Sequence, residues 1–231
     1  MSIKHNLEIV RDKIEQSVLL VNKKSNDIKL VVVTKTVGIE EIKESIESGA
    51  IDIGENRIQE AEKKIQIIGN NNISWHLIGH LQTNKTKKAV KYFDLIHSVD
   101  NMHVFEAINR HAVELDKVQD ILVQVNVCGE ETKYGFTPEE IHSFFDEIKN
   151  RDIRNITIKG FMTMAPFCDN EKILRDCFRK TRELFVELKE KYGDLSFVDM
   201  KYLSMGMSND YQIAIEEGAN IVRVGSAIFR S

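Results

Sequence analysis

A lysine stands where an apolar strand pattern ends early in the chain. Residues 30–33 are one leucine and three valines, and Lys35 comes two positions after the last valine. Such a run, rich in β-branched residues, is typical of a strand that is buried on both faces. A cation at the end of such a strand conflicts with its surroundings, and conflicts of this kind often mark functional sites. The alternative is that Lys35 is an ordinary solvated residue that closes the strand.

Two turns near the end of the chain have the composition of an anion site. The first contains Ser208 and Asn209 at the start of a predicted helix, and the second is Gly225 followed by Ser226. Backbone N–H groups in such turns and at helix N-termini bind phosphates through their aligned dipoles. The alternatives are that Ser208 or Asn209 is a helix cap and that Gly225 only turns the chain.

Lys35 and the two turns together suit one kind of ligand. A lysine in a partly desolvated pocket beside another cation binds its proton less tightly and can attack a carbonyl group. An aldehyde that carries a phosphate would satisfy both the lysine and the turns. Pyridoxal phosphate is one such ligand, and a sugar phosphate in a class I aldolase is another.

A regular alternation of strands and helices must position these groups. Strands are predicted at 29–35, 50–54, 74–79, 95–99, 121–127, 156–162, 202–205 and 221–224. Helices are predicted between them at 39–48, 56–68, 83–91, 102–115, 138–150, 171–192 and 210–217. Eight such units in 231 residues predict an α/β protein with a single (β/α)8 TIM barrel, residues 1–231, whose site lies at the carboxyl ends of the strands. A doubly wound open sheet is the alternative.

The amino-terminal segment predicts a helix that precedes the first strand. Leu7, Val10, Ile14 and Val18 recur at spacings of three and four within residues 3–22, so they form one apolar stripe. No helix is predicted after the last strand, which leaves a gap in the barrel wall. Because the first and last strands are neighbours in a closed barrel, we expect the N-terminal helix to cover that gap.

Composition narrows the class of protein. The net charge is −4 and the basic residues are mixed with acidic ones, so we expect no binding to nucleic acid or to an anionic membrane. No apolar run approaches the length of a membrane span, and the first 22 residues do not resemble a signal peptide. The three cysteines include no Cys-x-x-Cys pair, so we expect neither a disulfide framework nor a zinc site. The cytoplasm is the simplest location.

Six stretches of the sequence resemble the pyridoxal phosphate homeostasis protein family. They occur in order along nearly the whole chain and include each group named above. The stretches are 32–36, 53–60, 75–85, 159–165, 203–210 and 222–229. Two positions depart from the usual pattern: Ser226 stands where threonine is frequent, and Arg230 stands where glycine is frequent. We expect the second departure to concern the end of the chain and not the site.

The resemblance implies a fold-type III barrel like the N-terminal domain of alanine racemase, with one pyridoxal phosphate held as a Schiff base on Lys35. It implies seven cofactor-binding residues in all. They are Lys35 for the Schiff base, Ser208, Gly225 and Ser226 for the phosphate, Arg223 for the pyridine nitrogen, and Asn56 and Met207 for the ring. An arginine in that place keeps the pyridine nitrogen unprotonated, because a guanidinium cannot accept a proton. The ring is then a weak electron sink.

The resemblance also bears on catalysis. A racemase of this fold needs a second domain, and its opposing catalytic tyrosine comes from a partner subunit. This sequence ends soon after the last predicted strand, so we expect a non-catalytic carrier or regulator of pyridoxal phosphate that acts in its intracellular homeostasis. The alternatives are a racemase or decarboxylase of the same fold and a class I aldolase. PLP-dependent apo-enzymes are the expected protein partners, and we expect a monomer.

Four further residues near the predicted strand ends receive structural roles. Tyr134, in the loop after the fifth strand, is the tyrosine nearest to the predicted mouth, and we expect it to pack in that loop. His76, His80 and His97 do not show the helical spacing of a metal site, so we expect them to form hydrogen bonds, with His80 the nearest to the site.

Overall fold

Eight parallel strands close into a barrel in the computed structural model, which describes residues 2–21, 24–70, 72–129 and 134–230. Each strand pairs with the next along the chain, and β1 pairs with β8. The strands are β1 (Lys29–Val33), β2 (Asp52–Glu55), β3 (Ser74–Leu77), β4 (Leu95–Val99), β5 (Gln119–Gln124), β6 (Ile156–Met162), β7 (Val198–Ser204) and β8 (Ile221–Val224). The predicted barrel is therefore confirmed, and the open sheet is excluded by the β1–β8 pairing.

Helices surround the barrel and follow its strands. They are α1 (Ile3–Leu20), α2 (Ile39–Glu47), α3 (Ile58–Ile68), α4 (Thr86–Tyr92), α5 (Met102–Glu114), α6 (Pro138–Ile148), α7 (Glu171–Tyr192), α8 (Tyr211–Glu216) and α9 (Ser226–Phe229). Two 3-10 turns, Ser25–Asp27 and Thr83–Lys85, precede β1 and α4. None of these helices is both long and apolar enough to cross a membrane.

Successive residues of each strand face opposite sides of the sheet, so side chains are buried on both faces. Residues facing the helices, such as Val32, Ile53 and Trp75, belong to the large apolar core between the barrel and its helices. A second, much smaller apolar cluster contains Val31 and Leu122 from the other face of the strands, inside the barrel. Several other inward positions carry polar groups, among them Asp52, His76 and His97, which the sequence pattern did not reveal.

Strand β7 begins earlier than predicted, at Val198 instead of 202. Its first residues alternate between buried and exposed, since Val198 and Met200 are buried and Lys201 is exposed. Asp199 forms an ion pair with Lys159 of β6 at 3.0 Å. Asp199 and Lys201 interrupt the apolar pattern of this part of the strand, so a search for apolar runs missed it.

The amino-terminal helix covers the closing seam of the barrel, as predicted. Its stripe contains Leu7, Val10, Ile14 and Val18, all buried, and the helix packs against α2, α8 and α9. The Asn6 side chain donates a hydrogen bond to the Ile228 carbonyl oxygen at 2.9 Å. The prediction that no helix follows β8 was wrong, because the one-turn helix α9 follows it and packs against α1.

The expectation of no disulfide was also wrong. Cys128, after β5, and Cys177, in α7, form a disulfide with their Cα atoms 5.8 Å apart. Cys168 is a free thiol. The two bonded residues lie 49 positions apart in sequence, so only the fold brings the loop after β5 against α7.

We expect Leu7→Ala to lower the free energy of unfolding by about 2–5 kcal/mol, because it removes a fully buried side chain and leaves a cavity between α1 and the barrel. Urea unfolding followed by circular dichroism would measure this loss. Glu8→Ala, on the exposed face of the same helix, is the control and should change the stability by less than about 0.5 kcal/mol. Equal effects of the two substitutions would show that α1 does not seal the barrel.

Candidate functional site

Lys35 lies in the turn that follows β1, at the carboxyl end of the barrel. The Lys35 side chain is exposed, and the residue after it, Thr36, has a φ of 63°. A β-branched residue in the left-handed region is strained by about 1–3 kcal/mol, so the surrounding structure must hold it there. Hydrogen bonds to the nearby residue Thr34 help to fix this turn.

A buried ion pair anchors the residue before the lysine. The Lys64 ammonium group donates to Glu55 Oε1 at 2.6 Å and to the Thr34 carbonyl oxygen at 2.8 Å. The Thr34 hydroxyl group donates to the same Glu55 oxygen. Glu55 is fully buried, and its Oε2 has no hydrogen-bond partner in the described part of the chain. The three residues form a clamp that fixes the start of the Lys35 turn.

The two turns predicted to bind an anion lie against each other. The Ser208 hydroxyl oxygen accepts hydrogen bonds from the backbone N–H groups of Gly225, at 3.3 Å, and Ala227, at 3.4 Å. A Cβ atom on Gly225 would lie 2.9 Å from the Val33 carbonyl oxygen, so only glycine allows this close approach to β1. The two turns thus place two N–H donors and one hydroxyl group together.

Lys35 and both turns line one cavity of about 660 Å³. All seven residues named from the sequence contribute to its wall: Lys35, Asn56, Met207, Ser208, Arg223, Gly225 and Ser226. The structure therefore brings the whole predicted set together, from the ends of β1, β2, β7 and β8.

Part of the cavity wall was not predicted as part of the site. The loop after β6 contributes Phe167, whose side chain is 91% exposed, and Cys168. Arg230 lines the cavity as well, so the expectation that this position concerns only the chain end was wrong. The loop contains no strand or helix pattern, and the end of the chain follows a helix too short to predict, so neither gave a usable sequence signal.

His80 and Tyr134 lie outside the cavity wall. His80 Nδ1 is 2.9 Å from Asp100 Oδ2, and the Tyr134 ring stacks on the imidazole with centroids 3.8 Å apart. Burial raises the pKa of Asp100, and the hydrogen bond to His80 acts in the opposite direction. The expected packing role of Tyr134 and the hydrogen-bonding role of His80 are both confirmed.

Arg223 reaches the cavity from the interior of the barrel. Its guanidinium donates to Ser204 Oγ at 2.6 Å and to the Thr163 carbonyl oxygen at 2.9 Å. Burial lowers the pKa of Arg223 to about 10, partly offset by the nearby Asp210 carboxylate. The guanidinium stays charged at neutral pH, and its two acceptors here are neutral oxygens.

Behind Arg223, a line of polar side chains crosses the barrel interior. His97 Nδ1 is 3.0 Å from Ser204 Oγ, His97 Nε2 is 2.9 Å from His76 Nδ1, and His76 Nε2 is 2.9 Å from Asp52 Oδ1. Burial holds the pKa of His97 well below its usual range, and the charges of its neighbours act in the same direction. Both His76 and His97 thus form hydrogen bonds, as expected from the sequence.

The far end of this line opens toward the other mouth of the barrel. There the Lys29 ammonium group donates to Asp52 Oδ1 at 2.8 Å. Burial by itself would raise the pKa of Asp52, but the hydrogen bonds from His76 and Lys29 outweigh it and leave the pKa below its ordinary value. Asp52 is therefore a carboxylate with two donors.

Within residues 2–21, 24–70, 72–129 and 134–230, no group of three or more His, Cys, Asp or Glu side chains is arranged to hold a metal ion. The cavity wall combines a primary amine, two arginines and the two turns that contain Ser208, Gly225 and Ser226.

The fold and the site together define a class of protein. The family described as alanine racemase, N-terminal domain, matches residues 2–231. An alanine racemase of Clostridium difficile superposes on the chain with a TM-score of 0.75 at 17% identity, covering 99% of this chain and 56% of the racemase. The structure is thus a barrel of the alanine racemase N-terminal type.

Curated relatives narrow this class to one family. The pyridoxal phosphate homeostasis protein of Aquifex aeolicus is 39% identical over 99% of this chain and 98% of its own. That of Haemophilus influenzae is 35% identical over 99% of this chain and 95% of its own. The chain belongs to the pyridoxal phosphate homeostasis protein family.

Solved structures of one relative superpose on this chain over nearly its whole length. PipY of Synechococcus elongatus, without PLP, superposes with a TM-score of 0.87 at 30% identity, covering 99% of this chain and all of PipY. PipY with PLP bound gives a TM-score of 0.82 at 31% identity, covering 94% of this chain and 99% of PipY.

We expect Lys64→Ala to lower the free energy of unfolding by about 3–5 kcal/mol, because it leaves the buried Glu55 carboxylate without its cation. Chemical denaturation monitored by fluorescence would measure the loss. Lys63→Ala, at the exposed neighbouring position of α3, is the matched control and should change stability by less than about 0.5 kcal/mol. A loss for Lys64→Ala no greater than the control's would contradict the clamp.

Proposed function

We propose that this chain binds pyridoxal 5'-phosphate in the cavity at the carboxyl end of the barrel, as a Schiff base on Lys35, and acts in PLP homeostasis in the cytoplasm without catalytic turnover. The observation that carries the proposal is the shared cavity: an exposed lysine amine and the two turns that contain Ser208, Gly225 and Ser226 line the same 660 Å³ space. When bound, the cofactor supplies an aldehyde for the lysine and a phosphate for the donors.

The residues fit the phosphate end of this ligand. The N–H groups of Gly225 and Ala227 converge on one oxygen, Ser208 Oγ, which shows that two donors can share a single acceptor here. A phosphate oxygen is a stronger acceptor than a hydroxyl oxygen. The absence of a Cβ on Gly225 leaves its backbone close to β1 and free to face the ligand. Ser226 adds a second hydroxyl group to the cavity wall.

The residues also fit the ring and the aldehyde. Arg223 supports the pyridine nitrogen in this proposal, since it reaches the cavity with its charge intact and donates hydrogen bonds without accepting any. Asn56 and Met207 line the same cavity as Lys35 and Arg223 and would contact the ring. The cavity volume lies within the range of small-molecule and cofactor sites, roughly 300–1,000 Å³.

The names of the relatives support a role without turnover. Among the residues that the structure describes, no tyrosine and no histidine lines this cavity, although Cys168 and several carboxyl groups do. A racemase must place a base on each face of its substrate, and Lys35 would supply one of them. The relatives are named for PLP homeostasis and not for a reaction. The protein in this proposal stores or delivers the cofactor.

Delivery would need access to the cavity from outside. Phe167 stands almost fully exposed at the cavity wall, where an apo-enzyme that receives PLP could contact it. Residues 1–231 act as one binding domain and as a monomer in this proposal, with the mouth of the barrel left open for exchange.

We expect Lys35→Ala to abolish the long-wavelength absorption band of the PLP-loaded protein, because the amine that binds the aldehyde is gone. We expect Ser208→Ala to keep the band but to weaken PLP retention about tenfold, the scale of one hydrogen bond to a charged group. Absorption spectra during dialysis would measure both effects.

Two surface variants control for these substitutions. Lys43→Ala on α2 and Ser143→Ala on α6 lie outside the cavity wall and should leave the band and the retention as in the wild type. An unchanged band in Lys35→Ala would mean that another amine holds the cofactor. Unchanged retention in Ser208→Ala would mean that the phosphate lies elsewhere.

A further inference from the structure

Five side chains form an unbroken line through the barrel interior, from the cavity toward the opposite mouth. They are Arg223, Ser204, His97, His76 and Asp52, and we call them the barrel-core relay. The contacts between consecutive members are 2.6, 3.0, 2.9 and 2.9 Å. They come from five strands, β8, β7, β4, β3 and β2, so no local turn or cap accounts for the arrangement.

One assignment of protons satisfies every contact in the relay. Arg223 can only donate, so Ser204 Oγ accepts from it, and in this assignment the Ser204 hydroxyl group donates its proton to His97 Nδ1. His97 is then the neutral tautomer with its proton on Nε2, and it donates to His76 Nδ1. His76 in turn carries its proton on Nε2 and donates to the Asp52 carboxylate. Every donor thus points the same way, from the arginine to the carboxylate.

The charges around the relay favour the same assignment. Arg223, with Asp210 nearby, lies at one end, and Asp52 with Lys29 lies at the other. A proton on His97 would add a positive charge in the buried interior next to the Ser204 hydroxyl group that already accepts from Arg223. Burial and the neighbouring charges keep the pKa of His97 low, in agreement with a neutral ring. The relay therefore holds opposite charges at its two ends and neutral groups between them.

We propose that the barrel-core relay positions Arg223 toward the bound cofactor and links its polarisation to Asp52 at the far end of the barrel. This inference rests on the proposed function, since it concerns how the arginine meets the pyridine ring. Ser204 and Thr163 each take one guanidinium nitrogen, so the guanidinium plane is fixed by two acceptors. Hydrogen bonds in series polarise one another in a low-dielectric interior, and here the series ends on an anion.

A role limited to filling the barrel does not account for these residues. The interior already contains an apolar cluster of Val31, Leu95, Leu122, Met162 and Ile221. Buried polar groups are costly unless each is satisfied, and larger apolar side chains would fill the same positions more simply. A continuous line of hydrogen bonds that ends on the buried Arg223 of the cavity wall, with one donor direction throughout, fits a positioning role.

Two substitutions test the relay near to and far from the cofactor. Ser204→Ala removes the acceptor of Arg223, and Asp52→Asn removes the charge at the far end while keeping an acceptor for His76. We expect both to shift the absorption spectrum of bound PLP. We expect Ser204→Ala to weaken PLP binding about tenfold and Asp52→Asn to weaken it less. Ser204→Thr keeps the hydroxyl group and should restore the wild-type spectrum.

Matched controls separate the relay from a general loss of packing. Ser45→Ala removes a fully buried serine hydroxyl group in α2, and Asp199→Asn removes a carboxylate that pairs with Lys159 between β6 and β7. Both should keep the wild-type spectrum and affinity. If Ser204→Ala and Asp52→Asn behave like these controls while the wild type binds PLP, the inference is overturned and the proposed function stands.

The relay can also be tested before any cofactor is added. In ¹⁵N NMR of the apo-protein, His97 should show an unprotonated Nδ1 and a protonated Nε2 at neutral pH, and Ser204→Ala should change this signature. The opposite tautomer, or a charged ring, would overturn the relay whatever the binding results. A wild-type protein that binds no PLP would contradict the proposed function and, with it, the role given to Arg223.

Discussion

The pairing of β1 with β8 is the contact on which the site depends. Its register sets Val32 opposite Val224, so the turns that follow both strands leave the barrel side by side. One of these turns carries Lys35 and the other begins at Gly225, whose backbone lies close to the Val33 carbonyl oxygen. Residues almost two hundred positions apart in sequence thus become the two ends of one cavity. Helix α1 seals the same seam from outside.

Two sets of hydrogen-bonded side chains fix the site residues, one next to Lys35 and one next to Arg223. Under Lys35, the clamp of Thr34, Glu55 and Lys64 fixes a turn that contains a strained threonine. Under Arg223, the barrel-core relay fixes a buried guanidinium through acceptors that are themselves held in place. In both cases a buried charged group forms hydrogen bonds with more than one partner, which offsets part of the free-energy cost of burying it. The open side of the cavity, by contrast, is lined by the exposed Phe167 and by the end of the chain.

Sequence reasoning reached the fold and the seven proposed cofactor residues but not their supports. Alternating strand and helix patterns were enough for the barrel, and the residues after the strands were enough for its mouth. The barrel-core relay was not predicted because Asp52, His76 and His97 are single polar residues within short strands. Their contacts with one another form only when the barrel closes. The Cys128–Cys177 contact escaped for the same reason, since it is set by long-range packing. The burial of Lys64 was not predicted either, because it follows from how α3 packs on β2.

The proposed function depends on a covalent bond between Lys35 and the cofactor. Borohydride reduction of the PLP-loaded protein, followed by proteolysis and mass spectrometry, detects this bond, because reduction makes a Schiff base permanent. We expect one modified site, a pyridoxyl phosphate group on Lys35. A modification on another lysine, or PLP that washes away unreduced from a loaded protein, would contradict it.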